Sequence, residues 1–245
     1  MPATLKRELY ETTVQVRSLL QDLLHLGVGE ISLPEVPANL PVCPPHVLGV
    51  DEGGTVLCRH ETLEEIRAEL ENCRRCPLCQ GRRNIVFGVG NPHARLVFVG
   101  EAPGREEDEK GEPFVGEAGR LLDRILFAMG MRREEVYICN VEKCRPPGNR
   151  DPQPEEIAAC EPYLKRQLAA IRPQMIVALG KFAAQTLLRD DAPISRLRGN
   201  WREYEGIALM PTYHPAFLLR NPAEKRAVWE DMKQVLARLR VNSGG

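Results

Sequence analysis

The chain's 245 residues carry 33 Lys and Arg against 34 Asp and Glu, a net charge of −1. That balance excludes a global basic field, so any grip on nucleic acid has to come from local patches. Hydrophobic residues make up 43%, enough for a real core, and the length suits one α/β domain with an appendage. No apolar run approaches membrane-spanning length, and the opening "MPATLKRELYETT" lacks a signal peptide's apolar core. The expected location is the cytoplasm. Thiols stay reduced there, so the eight cysteines read as ligands or core residues in preference to disulfides.

Residues 4–26 set Val14, Leu19, Leu20, Leu23, Leu24 and Leu26 among charges, the pattern of an amphipathic helix. Next comes "ISLPEVPANLPVCPPHV", with prolines at 34, 37, 41, 44 and 45, which reads as an extended linker. Cys43 and Cys58 fall in this unpatterned region and are set aside as ligands. The division is therefore an N-terminal helical and Pro-rich extension over residues 1–60, with no functional account, and a domain over residues 61–245.

From residue 61 helices alternate with short apolar runs. "TLEEIRAEL" is a helix capped by Thr62, with Glu65 three residues on. It leads into "ENCRRCPLCQGRR", where Cys73, Cys76 and Cys79 stand three apart, the pitch of a metal site that still needs a fourth ligand. "RLVFVG" is a buried strand. "GEAGRLLDRILFAMG" is a helix ended by Gly130, and "EVYICN" a second strand. "QPEEIAACEPYLKRQLAAI" is a helix with Pro154 in its first turn. "QMIVALG" is a strand, "KFAAQTLL" a helix, "GIALMP" a fourth strand and "AEKRAVWEDMKQVLARLR" the closing helix. The expected fold is α/β: three layers, α/β/α, around a central, mainly parallel four-stranded sheet.

In such a sheet ligands bind beyond the carboxyl ends of the strands. The residues there include Glu101, Asn140 and His214, an acid, an amide and an imidazole on one rim. "GVGNPH" lacks the third glycine of a dinucleotide turn and precedes its strand. "ALGK" lacks the first glycine of a phosphate loop. Three loops border the rim. "GEAPGREEDEKGEPFVG" isolates Phe114 between Pro113 and Val115, as a pocket wall or as a core plug. "NVEKCRPPGNR" offers Lys143, Arg145 and Arg150 to phosphates. "YHPAFLLRNP" sets Phe217, Leu218 and Leu219 before Arg220, where apolar residues either bury or wedge into a base stack.

The motifs "GEAPG…PFVG", "NVEKCRPPGNR" and "PTYHPAFLLRNP", in that order and preceded by "CRRC", resemble the family 4 uracil-DNA glycosylases, from about residue 70 onward. The resemblance implies a [4Fe–4S] cluster on Cys73, Cys76, Cys144 and Cys160, with Cys79 as an alternative ligand. Cys139 is expected in the core. Spacing alone leaves structural zinc open. It also implies a monomer acting on uracil-containing DNA, single- or double-stranded, that flips uracil out and hydrolyses its glycosidic bond. Phe114 then stacks on the base, Ala102 lies against it, and Asn140 reads its edge. His214 donates to O2, while Glu101 either positions the attacking water or shapes the loop. Arg145, Arg150, Leu218 and Arg220 contact DNA. A non-catalytic iron–sulfur DNA-binding or polymerase-associated module is the alternative.

Overall fold

The structure, a computed structural model, describes residues 48–50, 56–58 and 61–241. The helix expected over 4–26, the Pro-rich linker and Cys43 lie outside the described residues. Two short strands, β1 (Leu48–Val50) and β2 (Val56–Cys58), pair antiparallel with each other. Helix α1 (Leu63–Leu70) follows, and its expected capping box is formed. The Glu65 amide donates to Thr62 Oγ1 at 3.2 Å, and the Glu65 carboxylate accepts from the Thr62 amide at 2.9 Å.

The main sheet contains β3 (Val89–Gly90), β4 (Leu96–Gly100), β5 (Tyr137–Asn140), β6 (Met175–Leu179), β7 (Arg202–Tyr204) and β8 (Ile207–Thr212), in the order β3-β5-β4-β6-β8-β7. The four strands expected from sequence are its parallel centre, β5-β4-β6-β8. Two short antiparallel edges extend it, so the sheet has six strands and is mixed. β7 joins β8 through Glu205 and Gly206, both at positive φ (49° and 80°), the backbone of a two-residue hairpin turn.

Alternation along each buried strand sends side chains to both faces. Val97, Val99, Ile176, Ala178 and Leu209 share one core with α1, α4 (Pro154–Ile171) and α5 (Lys181–Leu188). Leu96, Phe98, Met175, Val177 and Met210 share the other with α3 (Glu117–Ala128) and α8 (Lys225–Val241). Helices on both faces make the three layers. Three further short α-helices lie among the described residues: α2 (Arg105–Lys110), α6 (Ile194–Leu197) and α7 (Pro215–Arg220). Among the described residues no helix is long and apolar enough to cross a membrane.

The end of β8 is tied to α8 by a buried acid. Asp231, 1% exposed, accepts from Thr212 Oγ1 at 2.6 Å and from Arg198 at 2.5 Å. Arg198 also donates to the Ala227 carbonyl at 2.7 Å and lies 5.4 Å over the Tyr213 ring. Removing one partner leaves the other charge buried without compensation, so Asp231→Ala is expected to cost about 3–5 kcal/mol. Urea unfolding of the two proteins checks this; a loss below about 1 kcal/mol shows that water replaces the carboxylate.

Candidate active site

The four parallel strands end together, and their next residues form one rim. Gly100 and Asn140 are register partners across β4 and β5. The Gly180 amide donates to the Thr212 carbonyl at 2.9 Å, which brings the start of α5 against the segment before His214. A cleft of about 390 Å³ opens above this rim, lined by Glu101, Ala102, Phe114, Asn140, Arg150, His214 and Arg220 among others. The rim residues expected from sequence thus converge, although they come from separate loops.

Two glycines allow the convergence. A Cβ on Gly100 would lie 2.4 Å from Asn140 Oδ1 and 2.6 Å from the Phe114 ring; one on Gly180, at φ +91°, would lie 2.8 Å from the His214 Cβ. Both approaches are shorter than real side chains tolerate, so only glycine fits.

Phe114 is buried and sits at φ 55°, a left-handed conformation that a side-chain-bearing residue adopts only when its surroundings impose it. The imposing group is Glu107. Its carboxylate accepts from the amides of Val115 and Gly116, each at 2.9 Å, and it also lines the cleft. Arg133 donates to the Pro113 carbonyl and braces the same corner. The Phe114 ring faces His214 at a centroid distance of 5.5 Å, tilted by 32°. Glu107 lies on α2, where the sequence pattern predicts a loop, and the acid run in "REEDEK" hides its role.

His214 is the N-cap of α7, followed by Pro215 at the first helical position. Its Nδ1 accepts from the Ala216 amide at 3.1 Å, so the ring proton is on Nε2. Packing around the ring, helped by the charge of Arg220, pulls its pKa down to about 4. His214 is therefore a neutral donor at physiological pH. Glu101 moves the other way: burial, then the negative charge of Asp151, push it up to about 7 against the pull of Lys181. The Asn140 amide is 1% exposed, and among the described residues its Oδ1 has no hydrogen-bond partner. An unsatisfied buried acceptor on a cleft wall is a group poised for a ligand's donor.

Three expected nucleic-acid contacts are revised. Leu218 is 1% exposed and packs in the core beneath α3 and α8 instead of facing the cleft. Phe217, beside it, is half-buried and lines the cleft, stacked 4.8 Å from Tyr213. Lys143 is wholly buried, its Nζ donating to the Asn140 carbonyl at 2.6 Å, and cannot reach a phosphate. Arg150 borders the cleft but is bonded through two nitrogens to the buried Glu156, at 2.7 and 2.8 Å. Arg145 is half-buried and donates to Asn149 at 2.7 Å, while Arg220 is exposed on the cleft border.

Behind the rim lies a group of thiols. Cys144 feels the charges of Cys76 and Cys73, and Cys160 those of Cys144 and Cys76. Desolvation pushes Cys144 up to about 11 and Cys160 up to about 12. Arg82 donates to Cys144 Sγ and the Lys143 amide to Cys160 Sγ, each at 3.3 Å. Cys139 is fully buried in the core, as expected. Among the described residues no three His, Cys, Asp or Glu side chains converge tightly enough to hold a single metal ion.

Known proteins are similar to this chain in sequence. Residues 87–233 match the model of the Uracil DNA glycosylase superfamily. A Type-4 uracil-DNA glycosylase of Archaeoglobus fulgidus is 50% identical over 183 residues, covering 71% of this chain and 92% of the relative. One from Thermotoga maritima is 47% identical, covering 72% of this chain and 94% of its own. A third, from Sulfurisphaera tokodaii, is 44% identical over 71% of this chain and 84% of its own. With its matched segment holding both the cleft and its rim strands, the chain belongs to the Uracil DNA glycosylase superfamily.

Proposed function

We propose that this chain excises uracil from DNA, hydrolysing the bond between base and deoxyribose and leaving an abasic site. One observation carries the reading. A buried amide with an unpaired acceptor shares a cleft with a neutral imidazole donor and a fixed aromatic face. A planar base with a donor on one edge and an acceptor on another fits those groups. The base has to leave the helical stack to reach them.

Phe114 stacks on the flipped ring. Asn140 Oδ1 accepts from uracil N3–H, and its amino group donates to O4. Cytosine reverses that pattern and would leave buried groups unpaired, a penalty that reaches about four decades in comparable sites. As the C1′–N1 bond breaks, its electron pair passes to the base, and charge builds on O2. The neutral His214 Nε2–H stabilises it, an interaction typically worth about 3–4 kcal/mol in the barrier. Water forms the new bond to C1′ and gives its proton to the Glu101 carboxylate. The uracil anion takes its proton from solvent. Phe217 and Arg220 at the cleft border meet the DNA, Phe217 being the one of the three apolar loop residues that lines the cleft. The unit with this activity is residues 61–245, acting as a monomer in the cytoplasm.

The thiol group fits a [4Fe–4S] cluster on Cys73, Cys76, Cys144 and Cys160. Structural zinc accepts the same four thiolates, so iron content and not spacing separates the two readings. Bound there, the cluster would cross-link the N-terminal cysteine loop, the loop after Asn140 and α4.

Single-turnover assays on labelled oligonucleotides should release uracil and leave thymine and cytosine. Asn140→Asp should lower uracil release by orders of magnitude and direct any gained activity to cytosine, whose N4 amino group can donate to the new oxygen. A mutant at wild-type speed on uracil would remove the amide from base reading.

Gly100→Ala should cost at least a hundredfold in rate, because its Cβ occupies the Asn140–Phe114 contact. Retained activity would show that the rim can shift.

The rate should climb tenfold per pH unit below about 7 and level off above it, as Glu101 loses its proton; His214, at about 4, adds no limb in this range. Stability runs the opposite way, because a carboxyl raised in the folded state destabilises that state as pH rises through 7. A profile unchanged in Glu101→Gln would take the base role from this residue.

Purified protein should be brown, with about four irons per chain. Serine at Cys144 or Cys160 should lose iron where serine at Cys79 does not, and stoichiometric zinc would overturn the assignment.

A further inference from the structure

Lys143 is fully buried, and among the described residues no carboxylate pairs with it. Among the described residues its one side-chain hydrogen bond is to the Asn140 carbonyl, at 2.6 Å, and its neighbour along the chain is Cys144. An ammonium in that position is strongly disfavoured unless a negative group lies beside it. Four thiolates around an iron–sulfur cluster provide that charge.

The backbone places Lys143 between the two sites. Its amide donates to Cys160 Sγ at 3.3 Å, and its carbonyl accepts from the Val86 amide at 2.8 Å, just beyond the cysteine loop. The peptide that follows Asn140 is clamped at both ends. Its carbonyl accepts from Lys143 Nζ, and its N–H, that of Val141, donates to the Gly100 carbonyl at 2.9 Å. With that plane fixed, so is the direction in which the Asn140 amide leaves the main chain.

We infer that Lys143 is a positioning residue that couples the cluster to base selection, its ammonium neutralised by the cluster and its hydrogen bond holding Asn140 in the orientation that separates uracil from cytosine. The inference rests on the uracil-excision and cluster reading above.

A mutant cycle in the full chain with its cluster tests this. Lys143→Met is measured alone and together with Asn140→Ala, by single-turnover release from uracil- and cytosine-containing DNA, iron content and the cluster's reduction potential. Alone, Lys143→Met should slow uracil release about tenfold to a hundredfold and narrow the preference over cytosine. In the Asn140→Ala background it should add little further loss, because both changes remove one function. The potential should fall, since a positive charge beside the cluster is gone. A loss that multiplies in full across the two backgrounds, or an unchanged potential, overturns the inference.

Should Lys143→Met fail to fold, Lys143→Gln keeps a donor and should retain more base preference than any non-donor at that position. Iron removal from the unaltered protein gives an independent measure. While circular dichroism shows the fold intact, the stripped protein should bind uracil-containing DNA with reduced preference over cytosine; full preference without iron counts against coupling. If Asn140→Ala alone leaves base choice unchanged, the base-reading scheme fails first, and that result is distinct from a failure at Lys143.

Discussion

The cleft depends on two places where the sheet carries no side chain. At Gly100 the Asn140 amide and the Phe114 ring occupy the volume of a methyl group, and at Gly180 His214 does the same. Parallel register alone would bring the strand ends to one edge, as in many α/β proteins. It would not bring an amide, an aromatic ring and an imidazole into contact range of one planar ligand. That requires backbone at the rim, with tolerances of tenths of an ångström. The chemistry proposed here asks the same of them, because misplacement by one ångström costs orders of magnitude in rate.

Unfavourable features gather around this cleft. Phe114 is held at positive φ, and Asn140 Oδ1 is buried with no partner among the described residues. Glu142 is fully buried with both carboxylate oxygens unpaired; burial, then the charges of Glu156 and Glu101, push it up to about 8, so it is mostly protonated at neutral pH. Lys143 lies next to it, with no carboxylate partner among the described residues. Each such feature is destabilising in isolation. The offset lies in the surrounding fold: two packed cores on either face of the sheet, Glu107 holding the Phe114 corner, and Asp231 joining β8 to α8. Concentrated strain beside well-satisfied scaffolding is the pattern expected where structure serves chemistry.

How much was legible in sequence follows the range of the forces involved. The central strands and main helices are set by local pattern, and α5 runs over the residues its apolar spacing indicates. The α1 cap is local chemistry and was legible in full. The rim trio was legible because strand ends in a parallel sheet share an edge. The edge strands β3 and β7 have two and three residues, too few to show alternation. Glycine and proline border α2 and α7 and each is only six residues long, so local pattern predicts loops there. Lys143, Leu218 and Glu107 went astray for one reason. Residue type speaks to the usual environment, whereas burial is decided by elements far along the chain. A lysine in a basic loop reads as a phosphate ligand until α4 covers it.

Chain connectivity makes the thiols more than a remote structural aid. Asn140 ends β5, and Cys144 lies four residues on, in a stretch whose regular structure is one short turn at Pro147–Asn149 before α4 begins. A segment of that kind leaves its ends free to fluctuate unless something beyond the backbone holds it. The Arg150–Glu156 pair holds the far end. The near end, which determines where the Asn140 amide points, is held by Lys143 and, in the proposed reading, by the cluster that Cys144 and Cys160 would bind. Asp108 completes the brace from the opposite wall: buried on α2, it accepts from the amides of Arg83 and Asn84, directly after the cysteine loop. The thiol region thus touches both walls of the cleft, through Lys143 on the Asn140 side and through Asp108 on the Phe114 side. A cross-link there would fix the width of the slot into which a flipped base has to fit. The same cross-link, placed on a helix leading away from the rim, would add stability and leave the slot unchanged.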